Sequence, residues 1–323
     1  MPGIITIVDT FNTTGFGRGM AFKGADIYIA LPNVPALEQM VKATGVIVAD
    51  HSPGPFQAFQ ALYDSINNQF WTTPAGAGFH FNVSRYDGTA TLLDNPASGQ
   101  NPNGQCIVNG HYWCANQDGG SLSKLNAATG APIATVAGVT AAGSGQLVPD
   151  ATGSIWCTAL PRKLYQVDEA TATLVNTFTV AAVTRFGGLC FAMGFLWATD
   201  RTFGNLYKLD LFGNVLATSA AGAAGTGPLV FDGINFWSVA FGVGFVVTSP
   251  AGIFQASIAA ADAAAVQWIA NDGTANEAWG TSGNAAPGFV QHFLFTPAAI
   301  ARPKTVGTFT GFLAAGSIGA GTK

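Results

Sequence analysis

The sequence predicts an all-β fold, a seven-bladed β-propeller built of four-stranded blades of about 42 residues. Three observations predict it. Tryptophans recur at a nearly constant interval, turn-forming residues cut the chain into short apolar runs, and no stretch holds a 3.6-residue period long enough for a substantial helix. Trp71, Trp113, Trp156, Trp197, Trp237 and Trp279 follow one another at 42, 43, 41, 40 and 42 residues. Tyr28 stands 43 residues before Trp71 in the matching context Asp26-Ile27-Tyr28-Ile29-Ala30. Only Trp268 falls out of phase.

Each unit repeats the same order of elements. An apolar run ends in a tight turn before the aromatic, as in Cys106-Ile107-Val108-Asn109-Gly110 and Leu229-Val230-Phe231-Asp232-Gly233. Asn-Gly and Asp-Gly between apolar runs signal hairpins, because both turn residues must tolerate positive φ. The second strand carries the aromatic followed by small residues, as in Trp156-Cys157-Thr158-Ala159, so that the neighbouring sheet can approach. A third strand such as Leu206-Tyr207-Lys208-Leu209-Asp210 and a fourth such as Leu174-Val175-Asn176-Thr177-Phe178 complete the blade. One domain is expected over residues 1–310, followed by a Gly/Ala-rich tail at 311–323. The N-terminal segment Ile4 to Thr10 is expected to complete the last blade's sheet, which closes the ring and removes an exposed edge. A buried aromatic covers 150–250 Å², so each rung is worth several kcal/mol at about 25 cal/mol/Å² and is core before anything else.

The hairpin about Asn109-Gly110 sets Val108 against His111 and Cys106 against Trp113, with Cys114 on the opposite face. The hairpin at Met193-Gly194 likewise sets Cys190 against Trp197. Cys114 and Cys157 occupy equivalent positions in successive blades and face the same way. Four free thiols are therefore expected, consistent with a reducing cytoplasm. No cysteine pair has CxxC spacing. The segment Met1-Pro2-Gly3-Ile4-Ile5 has no basic region and no apolar core, so no secretory leader is expected. The sequons at Asn12 and Asn82 are what chance provides.

Composition excludes several classes. The chain is 49% hydrophobic, with 17 acidic and 13 basic residues among 323, so it can bury enough surface to be ordered. The most apolar stretch, Gly242 to Ala270, is broken by Pro250, Gly252, Gln255 and Asp262, so no membrane span is expected. A net charge of −4 gives no footprint for nucleic acid.

Segments such as Gly153-Ser154-Ile155-Trp156-Cys157-Thr158 and Phe195-Leu196-Trp197-Ala198-Thr199-Asp200 resemble repeats of the NHL, YncE-like and streptogramin-lyase-like seven-bladed propellers. The resemblance covers most of the chain and implies architecture; its members include lyases, lactonases and binding scaffolds. The enzymatic members imply a divalent metal with a histidine base, or Ca²⁺ held by Asp, Asn and Glu.

The residues offer little to match. Of His51, His80, His111 and His292, none sits in such a motif, and the only glutamates are Glu38, Glu169 and Glu277. Asp26, His111 and Glu277 each precede a ladder aromatic by two, so these strand starts define a candidate polar rim, to which His292 in the last blade is added. The other blades place Gln69, Ser154, Phe195 and Asn235 there. Asp64, Asp150, Asp232 and Asp272 recur in the hairpin turns, where Asp hydrogen-bonds its own backbone. There is no DxDxDG loop, and Gly15-Phe16-Gly17-Arg18-Gly19 lacks the Lys-Ser/Thr of a P-loop. No catalytic residue, metal site or cofactor is assigned.

What stands out is a charged fraction of only 9%. Freely diffusing enzymes carry mixed surface charge, whereas interface cores are depleted of it. The expected function is a non-catalytic structural propeller packed against copies or partner proteins, in a virion assembled in a host cytoplasm, as a tailed-phage tail or capsid-associated subunit. One alternative is a cytoplasmic glycan- or protein-binding module using loop aromatics such as Phe79, Phe81 and Phe203. Another is a metal-dependent lyase or lactonase-like hydrolase with its site in the central funnel.

Overall fold

In the computed structural model, the residues described are 3–15, 17–32, 36–51, 57–75, 82–139, 146–220, 226–240, 244–258, 266–282 and 288–298. They form seven four-stranded antiparallel sheets arranged as the blades of a β-propeller. Blades 1 to 6 span 19–51, 57–94, 102–137, 147–179, 186–220 and 226–257, each with its strands in sequence order from the channel outward. Blade 7 takes three strands from 266–296, and its outer strand is Ile4–Asn12 from the N-terminal end. That strand runs two residues past the expected Thr10 and pairs with Phe289–Thr296 from Ile4↔Thr296 to Asn12↔Phe289. The expected boundary at 310/311 lies outside the described residues.

The ladder is the core. Tyr28, Trp71, Trp113, Trp156, Trp197, Trp237 and Trp279 are all at most 3% exposed, each on the second strand of its blade. The hairpins that present them form as their turn residues dictate: Asn109 and Gly110 have φ of 51° and 76°, Met193 and Gly194 of 53° and 80°. Register follows from those turns. Val108 faces His111, Cys106 faces Trp113, and Cys190 faces Trp197.

Small residues on the inner strands set how closely the blades approach. A Cβ on Gly188 would stand 2.5 Å from the Leu229 nitrogen of the next blade, and one on Gly19 would stand 2.6 Å from the Gln60 Cα. Gly188→Ala is therefore expected to destabilise the protein by about 1–3 kcal/mol, because backbone rather than a movable side chain must yield. Gly24, in an open turn, is expected to accept asparagine within about 0.5 kcal/mol. Urea midpoints of the two variants check this; equal midpoints would contradict the close approach.

All four cysteines are free and buried. Cys106 and Cys157 join one apolar cluster between blades 3 and 4, while Cys114 packs with Trp71 and Tyr112 in the cluster between blades 2 and 3. Burial pushes the Cys114, Cys157 and Cys190 thiols up to about 12, and Cys106 is raised further, with Cys157 and Cys114 adding to the effect of burial. The thiols are therefore inert packing groups at neutral pH.

Candidate functional site

The sequence singles out the strand starts two residues before each aromatic, and every one of them is engaged by its own or the next blade. Asp26 Oδ2 accepts a hydrogen bond from Gln39 Nε2 at 2.7 Å, and Gln39 Oε1 lies 3.1 Å from His51 Nε2. Burial lowers the His51 pKa, against the opposing pull of Asp50 and Asp87. Gln69 Oε1 accepts from Arg85 Nη1 at 3.4 Å, and Arg85 Nε donates to Asp94 at 2.9 Å. Ser154 Oγ accepts from Gln166 Nε2 at 3.0 Å, and Gln166 Oε1 from Asn176 at 2.9 Å. Asn235 Nδ2 donates to Asn276 Oδ1 of blade 7 at 3.0 Å.

Of the four rim candidates, the structure brings Glu277 and His292 together. Glu277 Oε2 lies 2.9 Å from His292 Nε2, while Asp9 on the closing strand approaches Nδ1 at 3.9 Å. The imidazole stacks on Trp279 at 4.2 Å and 4°. Histidine between two carboxylates is general-base geometry, but here the ring is pinned face-on to the core and the three groups tie the closing strand to blade 7. Asp26 and His111 belong to separate hydrogen-bonded clusters, each with its own partners.

His111 instead points into the seam with blade 4. Its Nδ1 is 2.7 Å from Glu169 Oε1, and Asn109 Nδ2 donates to Oε2 at 3.2 Å. Trp113 Nε1 donates to Oε1 at 3.4 Å, and Lys124 Nζ donates to the Glu169 carbonyl at 2.5 Å and faces Oε1 at 3.3 Å. Burial works to raise the Glu169 pKa, but the hydrogen bonds from Asn109, His111 and Lys124 outweigh it and hold the carboxyl below its ordinary value. A fully buried carboxylate with this many donors is a structural hub between blades.

The same logic extends round the ring. The residues facing the aromatics on the third strands are Gln39, Arg85, Lys124, Gln166, Lys208, Val247 and His292. Arg85, Lys124 and Lys208 place their cations 6.0, 5.4 and 5.6 Å from the Trp71, Trp113 and Trp197 rings. Three of the chain's few cations thus cover core indoles. The turn aspartates have a second role as well. Asp150 and Asp232 accept from their own turn backbones and also from Trp156 Nε1 at 2.8 Å and Trp237 Nε1 at 2.6 Å.

The central channel holds a cavity of about 290 Å³ bounded by the inner strands of six blades. None of the described residues lining it is Asp, Glu, His, Lys, Arg or Cys; its polar side chains include Gln60, Gln105 and Gln146. Among the described residues no group of three or more His, Cys, Asp or Glu has the geometry to hold a metal ion. Phe203 is 62% exposed in a turn of blade 5, while His80, Phe79 and Phe81 lie outside the described residues.

Fold and side-chain geometry together define a seven-bladed β-propeller whose polar clusters fasten blades to one another. No protein-family model matches the chain, and no curated protein matches it significantly. The likeness to NHL and YncE-like repeats is one of architecture.

Proposed function

We propose that this propeller is a non-catalytic structural subunit that packs against copies of itself or against partner proteins through the outer edge of blades 3 to 6, in the setting of a virion. The observation that carries this reading is an arc of outer strands without charge. Pro132–Ala137, Thr173–Thr179, Val215–Ala220 and Phe254–Ser257 are consecutive around the ring and contain no Asp, Glu, Lys or Arg. They leave Ile133, Val175, Leu216 and Phe254 between 40% and 51% exposed.

An outer strand presents unpaired N–H and C=O groups, and monomeric proteins guard such edges with lysine, proline or bulges. Here a bulge twists each strand near its start, and Pro132 opens one, but the remaining length carries only apolar residues, Thr, Ser, Asn and Gln. The outer strands of blades 7, 1 and 2 carry Asp9, Asp50 and Asp94, so the ring has a guarded side and an unguarded one. The charged fraction of only 9% and the Gly/Ala-rich segment after Thr310 support the virion setting.

Light scattering behind a sizing column tests the assembly. A discrete oligomer or polymer is expected, and Val175→Lys with Leu216→Lys is expected to reduce it to a 33.1 kDa monomer without loss of melting temperature. A wild-type monomer at every concentration would overturn self-packing. Mass spectrometry of purified particles from the encoding source tests the virion setting, and absence of the chain there would overturn it.

A further inference from the structure

Trp268 is the tryptophan that the ladder does not use. The six ladder indoles are at most 3% exposed, whereas Trp268 is half-buried on the wall of the channel cavity. Its ring meets Phe59 edge-on at 5.4 Å and 82°, and the Arg18 guanidinium backs Phe59 at 4.9 Å from the ring centre. Phe59 stands in the register shift between Ala58 and Gln60 on the inner strand of blade 2. Trp268 follows the corresponding shift on the inner strand of blade 7. Bulges re-aim side chains, and these two aim aromatics from blades 7 and 2 at each other across blade 1. The result is a half-buried indole on the cavity wall, braced edge-on by Phe59.

Three amides share that cavity. Gln60 uses Nε2 on Asn103 at 3.3 Å, Gln105 uses Oε1 on the Tyr112 hydroxyl at 2.9 Å, and Gln146 uses Oε1 on the Leu189 amide at 3.2 Å. Each bond fixes one end of its amide. The Gln60 carbonyl and the Gln105 and Gln146 NH₂ groups have no partner among the described residues. The lining therefore includes three amides, each fixed at one end, and one aromatic residue, with no charge among its described residues.

That chemistry selects against an anion, which finds no cation in the lining, and against an organic cation, which finds one ring and no carboxylate. It suits a neutral molecule with hydroxyl groups at its edge and C–H groups on its face. The geometry points to a saccharide site in the central channel, with one sugar ring stacked on Trp268 and its hydroxyls bonded to Gln60, Gln105 and Gln146. A volume of about 290 Å³ is at the small end of ligand pockets, which limits the occupant to about one ring.

The test is saturation-transfer NMR of the full chain with D-glucose, D-galactose, D-mannose, N-acetyl-D-glucosamine and L-rhamnose. At least one is expected to bind saturably with a Kd on the order of 1 mM. Trp268→Ala is expected to weaken that binding at least tenfold while the protein still melts cooperatively. If that variant does not fold, Gln60→Ala and Gln105→Ala decide by the same tenfold criterion. Absence of saturable binding by all five sugars overturns the site, as does binding that these substitutions leave unchanged.

Discussion

Replacing Glu169 by leucine is expected to destabilise the propeller by about 3–5 kcal/mol. The substitution leaves the Lys124 ammonium, only 3% exposed, without its countercharge, and it removes the acceptor of Asn109, His111 and Trp113. Lys124→Met should cost a similar amount, because the carboxylate then lacks its cation. The double variant Lys124→Met with Glu169→Leu is expected to lose clearly less than the sum, since two apolar groups replace a buried pair. Urea unfolding of the four proteins measures this coupling. Additive losses would mean that the pair does not act as a unit.

The same carboxylate gives the seam a pH dependence. The folded Glu169 pKa is below its ordinary value of 4.5, so the unfolded chain takes up the proton first as pH falls. Stability rises with pH wherever the unfolded state binds more protons. The contribution is therefore complete above about 4.5 and fades as pH drops through the folded value. Asp150 and Asp272, held low by hydrogen bonds that outweigh burial, act with the same sign. Melting temperatures of Glu169→Leu are expected to fall less steeply below pH 4.5 than those of the parent.

Deleting residues 1–12 is expected to abolish cooperative folding, a loss comparable with the whole stability of a domain, about 5–15 kcal/mol. The closing strand fills the outer position of blade 7 and buries Ile5 against Trp237 and Phe293. It also ties Thr10 to Gln291 at 3.2 Å, and the Gly3 amide to the Gln255 carbonyl of blade 6 at 2.9 Å. Without it the ring opens, and Phe289–Thr296 becomes an unpaired edge. A synthetic peptide of residues 3–12 supplied in trans is expected to restore a cooperative melt by strand addition. A truncated chain that melts as the parent does would show that closure contributes little.

Much of this is legible in the sequence. The tryptophan interval fixes blade number and length, because each rung must recur once per sheet. The turn pairs Asn109-Gly110 and Met193-Gly194 fix register, because a two-residue hairpin permits one alignment. The pairing of Cys106 with Trp113 and of Cys190 with Trp197 follows from those turns. The closing role of the segment from Ile4 to Thr10 follows from a count that leaves one strand over, and the structure extends it to Asn12. The sequence also carries a signal for the third strands: a long polar or cationic side chain recurs 10 to 14 residues after six of the seven ladder aromatics, from Gln39 to His292.

The hub at Glu169 and the two uses of histidine were not legible, and the reason is physical. Glu169 follows the third strand of blade 4 and reaches His111 and Lys124 of blade 3, 58 and 45 residues away. Local spacing specifies what happens within a blade, where turns dictate register over a few residues. It does not specify which loop of the next blade meets a given strand start, because that depends on the tilt and stagger of packed sheets. Trp268 shows the same division: the sequence marks it as out of phase, but only the inner-strand bulges of blades 7 and 2 bring it against Phe59 on the channel wall. The chain by itself thus determines seven blades, their rungs and their closure, all set by local periodicity and turn chemistry. Packing between blades alone decides which polar groups meet and which face the channel.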